Sequence, residues 1–256
     1  MSESSKPKIY LVAGATRGLG LAFVETIASR DSTAIIYAGG RNPSSSPQLV
    51  KLAEKYPGRI ECITYVAGDK EGNDAMARAI KAKYGRVDTV IANAGINNRV
   101  GQIHELSIET YNDYFSVNVL GPIVLFQSVR GLLSASTEPR FICISSGRGS
   151  LELISRKSGI DMSAYGMSKA ALNWVTRKIH FENEWLVSFP ICPGPVYTDM
   201  AKEAIASDET GTLATMKDVW RPPNVVAEMI LDIVATSTRD KDGGQFHNES
   251  GGRYPW

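Results

Sequence analysis

Tyr165 and Lys169 stand four residues apart in the stretch Ser163 to Thr176, whose apolar residues recur with helical period. Residues four apart on a helix share a face, so a phenol and an ammonium project together. A free phenol gives up its proton only near pH ~10, about three units above neutrality, and each unit is worth roughly 1.4 kcal/mol. A neighbouring ammonium favours the phenolate and reduces that cost. Such a pair is suited to giving and taking a proton at neutral pH. Upstream, the apolar run Phe141 to Ser145 leads into Ser145-Ser146-Gly147, which brings two hydroxyls to the same crevice. The pair also has a plainer reading, as a core tyrosine that chance sets near a lysine, because ten tyrosines make such pairs common.

A second constellation is Gly14-Ala15-Thr16-Arg17-Gly18-Leu19-Gly20, placed directly after the apolar run Ile9 to Ala13 and opening a helical pattern near Leu19. Glycines permit a tight turn and close approach of a pyrophosphate, while a helix N-terminus offers unpaired N–H groups and a positive dipole end. Without context the pattern is only a turn. With a strand before it and a helix after, it reads as a dinucleotide site. The next β-branched run ends in Tyr37-Ala38-Gly39-Gly40-Arg41 and carries no acid. An acid there would bind a ribose 2′-hydroxyl, whereas an arginine accommodates a 2′-phosphate. Arg41, with Arg17 as a second cation, therefore points to NADP(H). The plainer reading of Arg41 is a solvated loop residue.

These groups need a scaffold to hold them. Short runs rich in β-branched residues, Ile9 to Ala13, Thr33 to Ala38, Ile60 to Val66, Val87 to Ala92, Phe141 to Ser145 and Leu186 to Ile191, alternate with longer helical patterns. That alternation predicts a doubly wound parallel sheet with helices on both faces, a Rossmann fold of about seven strands if Gln245 to Asn248 is counted. No composition break divides residues 1–256, so one domain is expected. Residues 198–222 have weak periodicity and no strand, and they follow a late strand at the end of the sheet where ligands bind. They are a candidate substrate lid.

Bulk properties narrow the function. The 256 residues are 43% hydrophobic and 21% charged, with net charge +1 and no basic stripe, which argues against a nucleic-acid partner. Met1 to Lys8 lack the apolar stretch of a signal peptide, and no apolar run looks long enough to span a bilayer, so a cytoplasmic enzyme without a membrane partner is expected. Cys62, Cys143 and Cys192 each sit in a strand-like run with no metal-site spacing, and are expected as reduced core residues. His104, His180 and His247 lie far apart and beside no nucleophile, so each is assigned to packing or surface, and no metal site is expected.

Taken in order, the glycine loop with Gly14, Gly18 and Gly20, Asn93-Ala94-Gly95, Asn118 in Ser-Val-Asn-Val, Ser146 with Tyr165 and Lys169, and Pro193-Gly194 followed by Thr198 resemble the short-chain dehydrogenase/reductase family. The resemblance runs from the first strand to the last. The long gap between Ser146 and Tyr165 and the ending Gly-Gly-Arg-Tyr-Pro-Trp256 resemble sniffer-type carbonyl reductases and fungal norsolorinic-acid-ketoreductase-like proteins. The resemblance implies transfer of the pro-S hydride, with Tyr165 as general acid in reduction and general base in oxidation. It implies that Ser146 holds the substrate oxygen, with Ser145 the competing choice. Lys169 would also bind the nicotinamide ribose, and Asn118 would anchor a water linking Lys169 to solvent. Thr16, Leu19 and Ala94 would complete the cofactor contacts around the glycine loop and the adenosine side, with Asn93 and Gly95. Pro193, Gly194 and Pro195 would follow the nicotinamide face, with Val196 and Thr198 near the carboxamide. One departure is Val66-Ala67-Gly68-Asp69, where family members commonly place an aspartate on adenine directly after the third strand. Members are commonly homodimers or homotetramers through the helices here spanning Ser107 to Leu133 and Ser163 to Glu184, and Trp174 and Phe181 would serve that interface or pack on the sheet.

The expected reaction is NADPH-dependent reduction of a carbonyl or imine on a hydrophobic, ring-bearing small molecule, in the manner of fungal secondary metabolism. Ile96, Arg148, Ile154 and Met200 are candidate substrate contacts. Arg148 and Asp161 would meet a polar substrate or form surface salt links. A cyclase or isomerase on the reductase scaffold is the alternative, and a non-catalytic dinucleotide-binding regulator is a third reading. The intact Ser146, Tyr165 and Lys169 favour redox chemistry over both.

Overall fold

The computed structural model describes residues 6–154 and 162–256, so Asp161 lies outside the described residues. Seven strands, β1 (Ile9–Ala13), β2 (Ile35–Gly40), β3 (Ile60–Thr64), β4 (Thr89–Ala92), β5 (Arg140–Ile144), β6 (Val187–Cys192) and β7 (His247–Asn248), form one sheet in the order β3-β2-β1-β4-β5-β6-β7. All pairings are parallel. The chain reverses its direction of travel across the sheet between β3 and β4, which opens a crevice at the carboxyl ends of β1 and β4.

One face is covered by α1 (Gly18–Arg30), α2 (Pro47–Lys55) and α9 (Pro223–Thr236), which bury Phe23, Leu49 and Val226 against β-branched residues such as Ile36 and Ile142. The other is covered by α3 (Lys70–Tyr84), α5 (Gly121–Leu133) and α6 (Ser163–Glu182), through Met76, Leu125 and Leu172. Local chemistry sets several helix starts. Ser46 Oγ accepts from Leu49 N at 3.3 Å at the start of α2, whose first residue is proline. Asp69 accepts from Gly72 N at 3.0 Å at the start of α3. Ser107 does the same for α4 (Ile108–Phe115) through Thr110 N. Each cap satisfies an N–H that the first helical turn cannot pair.

Several expectations need correction. The second strand starts later and ends later than Thr33 to Ala38, because Asp31 Oδ1 accepts from Thr33 N, Thr33 Oγ1 and Ala34 N and draws those residues into a turn. β3 is an edge strand with alternating burial, so Cys62 is exposed and is not a core residue, whereas Cys143 and Cys192 are buried. A membrane-length segment does exist. The continuous helix Ile108–Leu133 is long and apolar enough to cross a bilayer by length and composition, and half of its apolar window is buried within the fold. A π-turn at Ser116–Leu120 joins α4 to α5 within it. Trp174 and Phe181 are exposed on α6 and do not pack on the sheet.

Beyond β6, the chain leaves through Val196 and returns at Arg221. Tyr197 N donates to Arg221 O and Arg221 N to Pro195 O, both at 2.9 Å. Between these ends lie α7 (Asp199–Ser207), α8 (Thr212–Thr215) and a 3-10 turn, Lys217–Val219. The last helix, α10 (Arg239–Asp242), leads into β7 and a tail that folds back on it, with Tyr254 N donating to Phe246 O at 2.7 Å.

Candidate active site

The glycine loop is built by close backbone packing. Gly14 and Ala15 N–H both donate to Gly39 O, at 2.9 and 2.8 Å. Gly14 has φ +82°, and a Cβ there would come within 2.8 Å of Ala94 Cα, so the loop after β4 seats directly on it. Asn93 locks the contact by donating from Nδ2 to Gly14 O at 2.9 Å. α1 begins at Gly18 with no acidic residue in its first turn, which leaves its N-terminus open to an anion.

A cavity of about 750 Å³ runs from this loop across the sheet ends to α7, and its lining of glycine-loop backbone and strand-end residues suits a dinucleotide. Gly14, Thr16, Arg17, Gly18, Leu19, Arg41, Asn93, Ala94, Gly95, Pro193, Gly194, Val196 and Thr198 all border it, as do Ser146, Tyr165 and Lys169. Gly20 lies behind the wall, where a Cβ would overlap Gly14 O. Asn118 also lies behind it, fully buried. Of the candidate substrate contacts, Ile96, Arg148 and Met200 line the cavity. Ile154 is 69% exposed and outside it, and the neighbouring Leu153 takes that place. Asp69 caps α3, and Tyr65, Val66 and Ala67 form the wall on that side.

The two arginines separate. Arg41 is exposed at the cavity edge and makes no ion pair among the described residues. Arg17 Nη1 instead lies 3.4 Å from Glu203 Oε1 and 3.9 Å from Asp199 Oδ2, both on α7. It ties the glycine loop to the segment above the cavity.

At the far wall Ser145 and Ser146 both line the cavity, and their hydrogen bonds differ. Ser145 Oγ donates to Asn173 Oδ1 at 2.5 Å and is buried. Ser146 Oγ accepts from Arg148 N at 3.2 Å, and its hydrogen bond to Tyr165 draws the phenol's pKa down. Burial nevertheless dominates and holds Tyr165 well above the ordinary tyrosine range, with Cys192 adding to the rise. Lys169 is not among the groups that lower it. Its Nζ sits 5.6 Å from the Tyr165 ring centroid and donates to Ile144 O at 2.8 Å. Burial pushes the ammonium itself down from 10.5 to about 8. Burial thus raises the phenol and lowers the ammonium, opposing the depression of the phenol expected from the neighbouring charge.

Asn118 sits in the π-turn, a distortion frequent at functional positions. Its Oδ1 accepts from Ile96 N at 2.8 Å, while Nδ2 donates to Ile96 O at 3.0 Å and to Ser168 Oγ at 3.0 Å. It therefore fixes the loop after β4. A Cβ on Gly95 would lie 3.1 Å from Asn118 Oδ1 and 3.7 Å from Lys169 Nζ, so glycine keeps these polar groups open to one another.

Ser146, Tyr165 and Lys169 thus meet at the opposite end of the cavity from a glycine loop on a parallel sheet. The short chain dehydrogenase family profile matches residues 8–209. The chain belongs to that family. As a short-chain dehydrogenase it is an oxidoreductase, and its curated relatives include norsolorinic acid ketoreductases. The one from Aspergillus parasiticus is 28% identical, covering 97% of this chain and 91% of its own. The one from Emericella nidulans is 30% identical, covering 99% and 95%. Among solved structures, NADPH-bound carbonyl reductase from chicken fatty liver superposes with TM-score 0.86 at 25% identity, covering 98% of this chain and 95% of that one. Sniffer of D. melanogaster shares the fold, at TM-score 0.82 and 22% identity over 97% and 99%.

Sequence reasoning missed several residues of this short-chain dehydrogenase cavity. Asn97 follows the Asn93-Ala94-Gly95 motif by two residues, so adjacency was its available signal. Tyr254 reaches the cavity through the folded-back tail, with its ring against Gly147, and Cys192 accepts from Gly147 N and Gly194 N at 3.1 and 3.4 Å. Met162, Leu213, Met216 and Trp220 complete an apolar end.

Proposed function

We propose that the chain is an NADPH-dependent reductase of a ketone, aldehyde or imine on a hydrophobic, ring-bearing metabolite. The observation that carries this reading is the convergence of Ser146, Tyr165 and Lys169 on one wall of a cavity that begins at the glycine loop. Reduced nicotinamide supplies the hydride that adds to the carbonyl carbon. Tyr165 Oη gives its proton to the carbonyl oxygen as negative charge develops there, and Ser146 Oγ holds that oxygen. A phenol held protonated by burial starts this step in the required state. Lys169, fixed by Ile144 O, provides a positive charge beneath the phenol that compensates the phenolate left behind.

Arg41 supports the choice of NADP(H), since it stands where the second strand ends and pairs with no acid among the described residues. The NADPH-bound chicken carbonyl reductase lends independent support. Met200, Leu213, Met216 and Trp220 bring the 198–222 segment over the apolar end, which suits it to cover a ring system and exclude water. The test is consumption of NADPH and NADH against bulky ketones, quinones and cyclic imines, with product mass recorded. NADPH-dependent loss of reduced nicotinamide absorbance with a gain of two hydrogens is the expected result. Tight NADPH binding with an isomeric product, or with none, overturns the reductase reading.

A further inference from the structure

Several polar groups at the cavity or just behind its wall are already engaged. Asn118 is saturated by Ile96 and Ser168, Asn93 by Gly14, and Ser145 by Asn173. Asn97 is different. It is 8% exposed, its Oδ1 makes no hydrogen bond, and its Nδ2 meets only the Met162 thioether at 4.0 Å. Among the described residues, the other buried polar side-chain atoms without partners belong to Tyr37, Asn73, Ser188 and His247, none of which borders the cavity. A buried acceptor left unpaired is destabilising, and its persistence at a cavity wall is explained when a ligand supplies the missing donor.

A second unpaired group lies on the same cavity. Arg148 follows Ser146 by two residues, borders the cavity, and its guanidinium makes no ion pair or hydrogen bond among the described residues. An unpaired guanidinium favours an electron-rich oxygen in its vicinity. Met162 and Met200 add adaptable, polarizable surface that suits a flat ring.

We propose that Asn97 is a specificity-determining residue that reads a hydroxyl on the substrate, remote from the carbonyl being reduced, with Arg148 favouring an acidic hydroxyl such as a phenol or enol. This rests on the reductase reading above. The orphan atom decides the chemistry: Oδ1 accepts, so the ligand group must carry a proton. A carboxylate has none to give, and a methyl ether has lost it. A site built to bond a hydroxyl discriminates strongly against the analogue that lacks it, because the site's own group is then left unpaired.

The test uses binding, which needs no turnover. The full chain saturated with NADP+ is titrated calorimetrically with para-hydroxyacetophenone, its methyl ether and para-acetylbenzoate. The hydroxyl compound is expected to bind about tenfold more tightly than the ether, in keeping with one well-made hydrogen bond to a buried group. In Asn97→Ala that preference disappears, whereas the melting temperature holds or rises because an unpaired amide has been removed. A structural asparagine would lower the melting temperature instead. Equal affinity for the hydroxyl compound and the ether overturns the proposal, as does preference for the carboxylate, absence of binding, or an Asn97→Ala variant that keeps the preference. NADPH oxidation with unsubstituted acetophenone and bulky quinones is followed separately, so failure of the reductase reading is distinguishable from failure of the hydroxyl assignment.

Discussion

Lys169 offers a prediction that isolates one proton. Its ammonium is buried and held to Ile144 O at 2.8 Å, and its pKa falls from 10.5 to about 8. Because the folded value lies below the unfolded one, the unfolded chain binds more protons between pH 8 and 10.5, and stability gains from this residue as pH rises through that window. Below pH 8 the full cost of burying the charge is present. A gap of about 2.5 pH units at roughly 1.4 kcal/mol each makes that cost about 3 kcal/mol, of which about 2 kcal/mol is relieved between pH 7 and pH 9.5. In Lys169→Met this relief is absent. The hydrogen bond to Ile144 is lost equally at every pH, since the neutral amine also donates, and so it does not tilt the comparison. The assay is urea unfolding of both proteins at several pH values, taking the difference in unfolding free energy at each. Groups away from Lys169 titrate alike in both and cancel, and the neighbouring Cys143 and Cys192 thiols, which Lys169 draws down, are held up chiefly by burial. Lys169→Met should look stabilised at pH 7 relative to its standing at pH 9.5, by on the order of 2 kcal/mol. A difference that stays constant across the range refutes the reasoning, as does one that moves in the opposite direction.

Tyr165→Phe keeps the ring and removes the proton donor, so turnover should fall by about a hundredfold or more while NADPH affinity, read by fluorescence titration, stays within about twofold. Near-normal turnover would refute its assignment. Arg41→Ala should weaken NADPH by roughly tenfold or more and leave NADH nearly unchanged, since only NADPH carries the phosphate. Equal losses would remove Arg41 from that role. The paired serines should split their effects. Ser146→Ala lowers kcat with little change in melting temperature, whereas Ser145→Ala costs about 1 kcal/mol of stability through Asn173 and spares catalysis by comparison. The reverse pattern would exchange their roles.

What was legible in the sequence was local. Ile9 to Ala13 and the glycine loop were read at their true boundaries, because a buried strand, a tight turn and a helix start are each written in adjacent residues. The run Thr33 to Ala38 stops short of β2's end because Gly39 and Gly40 have poor strand propensity, and they are retained where Tyr65 and Thr16 press against the backbone. Cys62 reads as a core residue from its run alone, because edge or centre is a property of strand order, which no single run encodes. Arg17 meets Glu203 across 186 residues, and Tyr254 reaches the cavity only because the tail pairs back to Phe246. Tyr165 and Lys169 stand four apart and so share a helix face, which adjacent residues encode, whereas the burial that raises the phenol's pKa is a tertiary quantity that they do not.

The closure of residues 198–220 between Val196 and Arg221 has an evolutionary consequence. Both stem bonds, Tyr197 N to Arg221 O and Arg221 N to Pro195 O, are made by main-chain atoms and so impose little on side-chain identity. Within the interval, side-chain identity matters chiefly where Asp199 and Glu203 meet Arg17 and where Thr198, Met200, Leu213, Met216 and Trp220 line the cavity, so the remaining positions would be the ones open to change. A lineage of such enzymes would then diversify its metabolites by rewriting one insertion, and chimaeras exchanged at these two stems are the natural units in which to retrace that history.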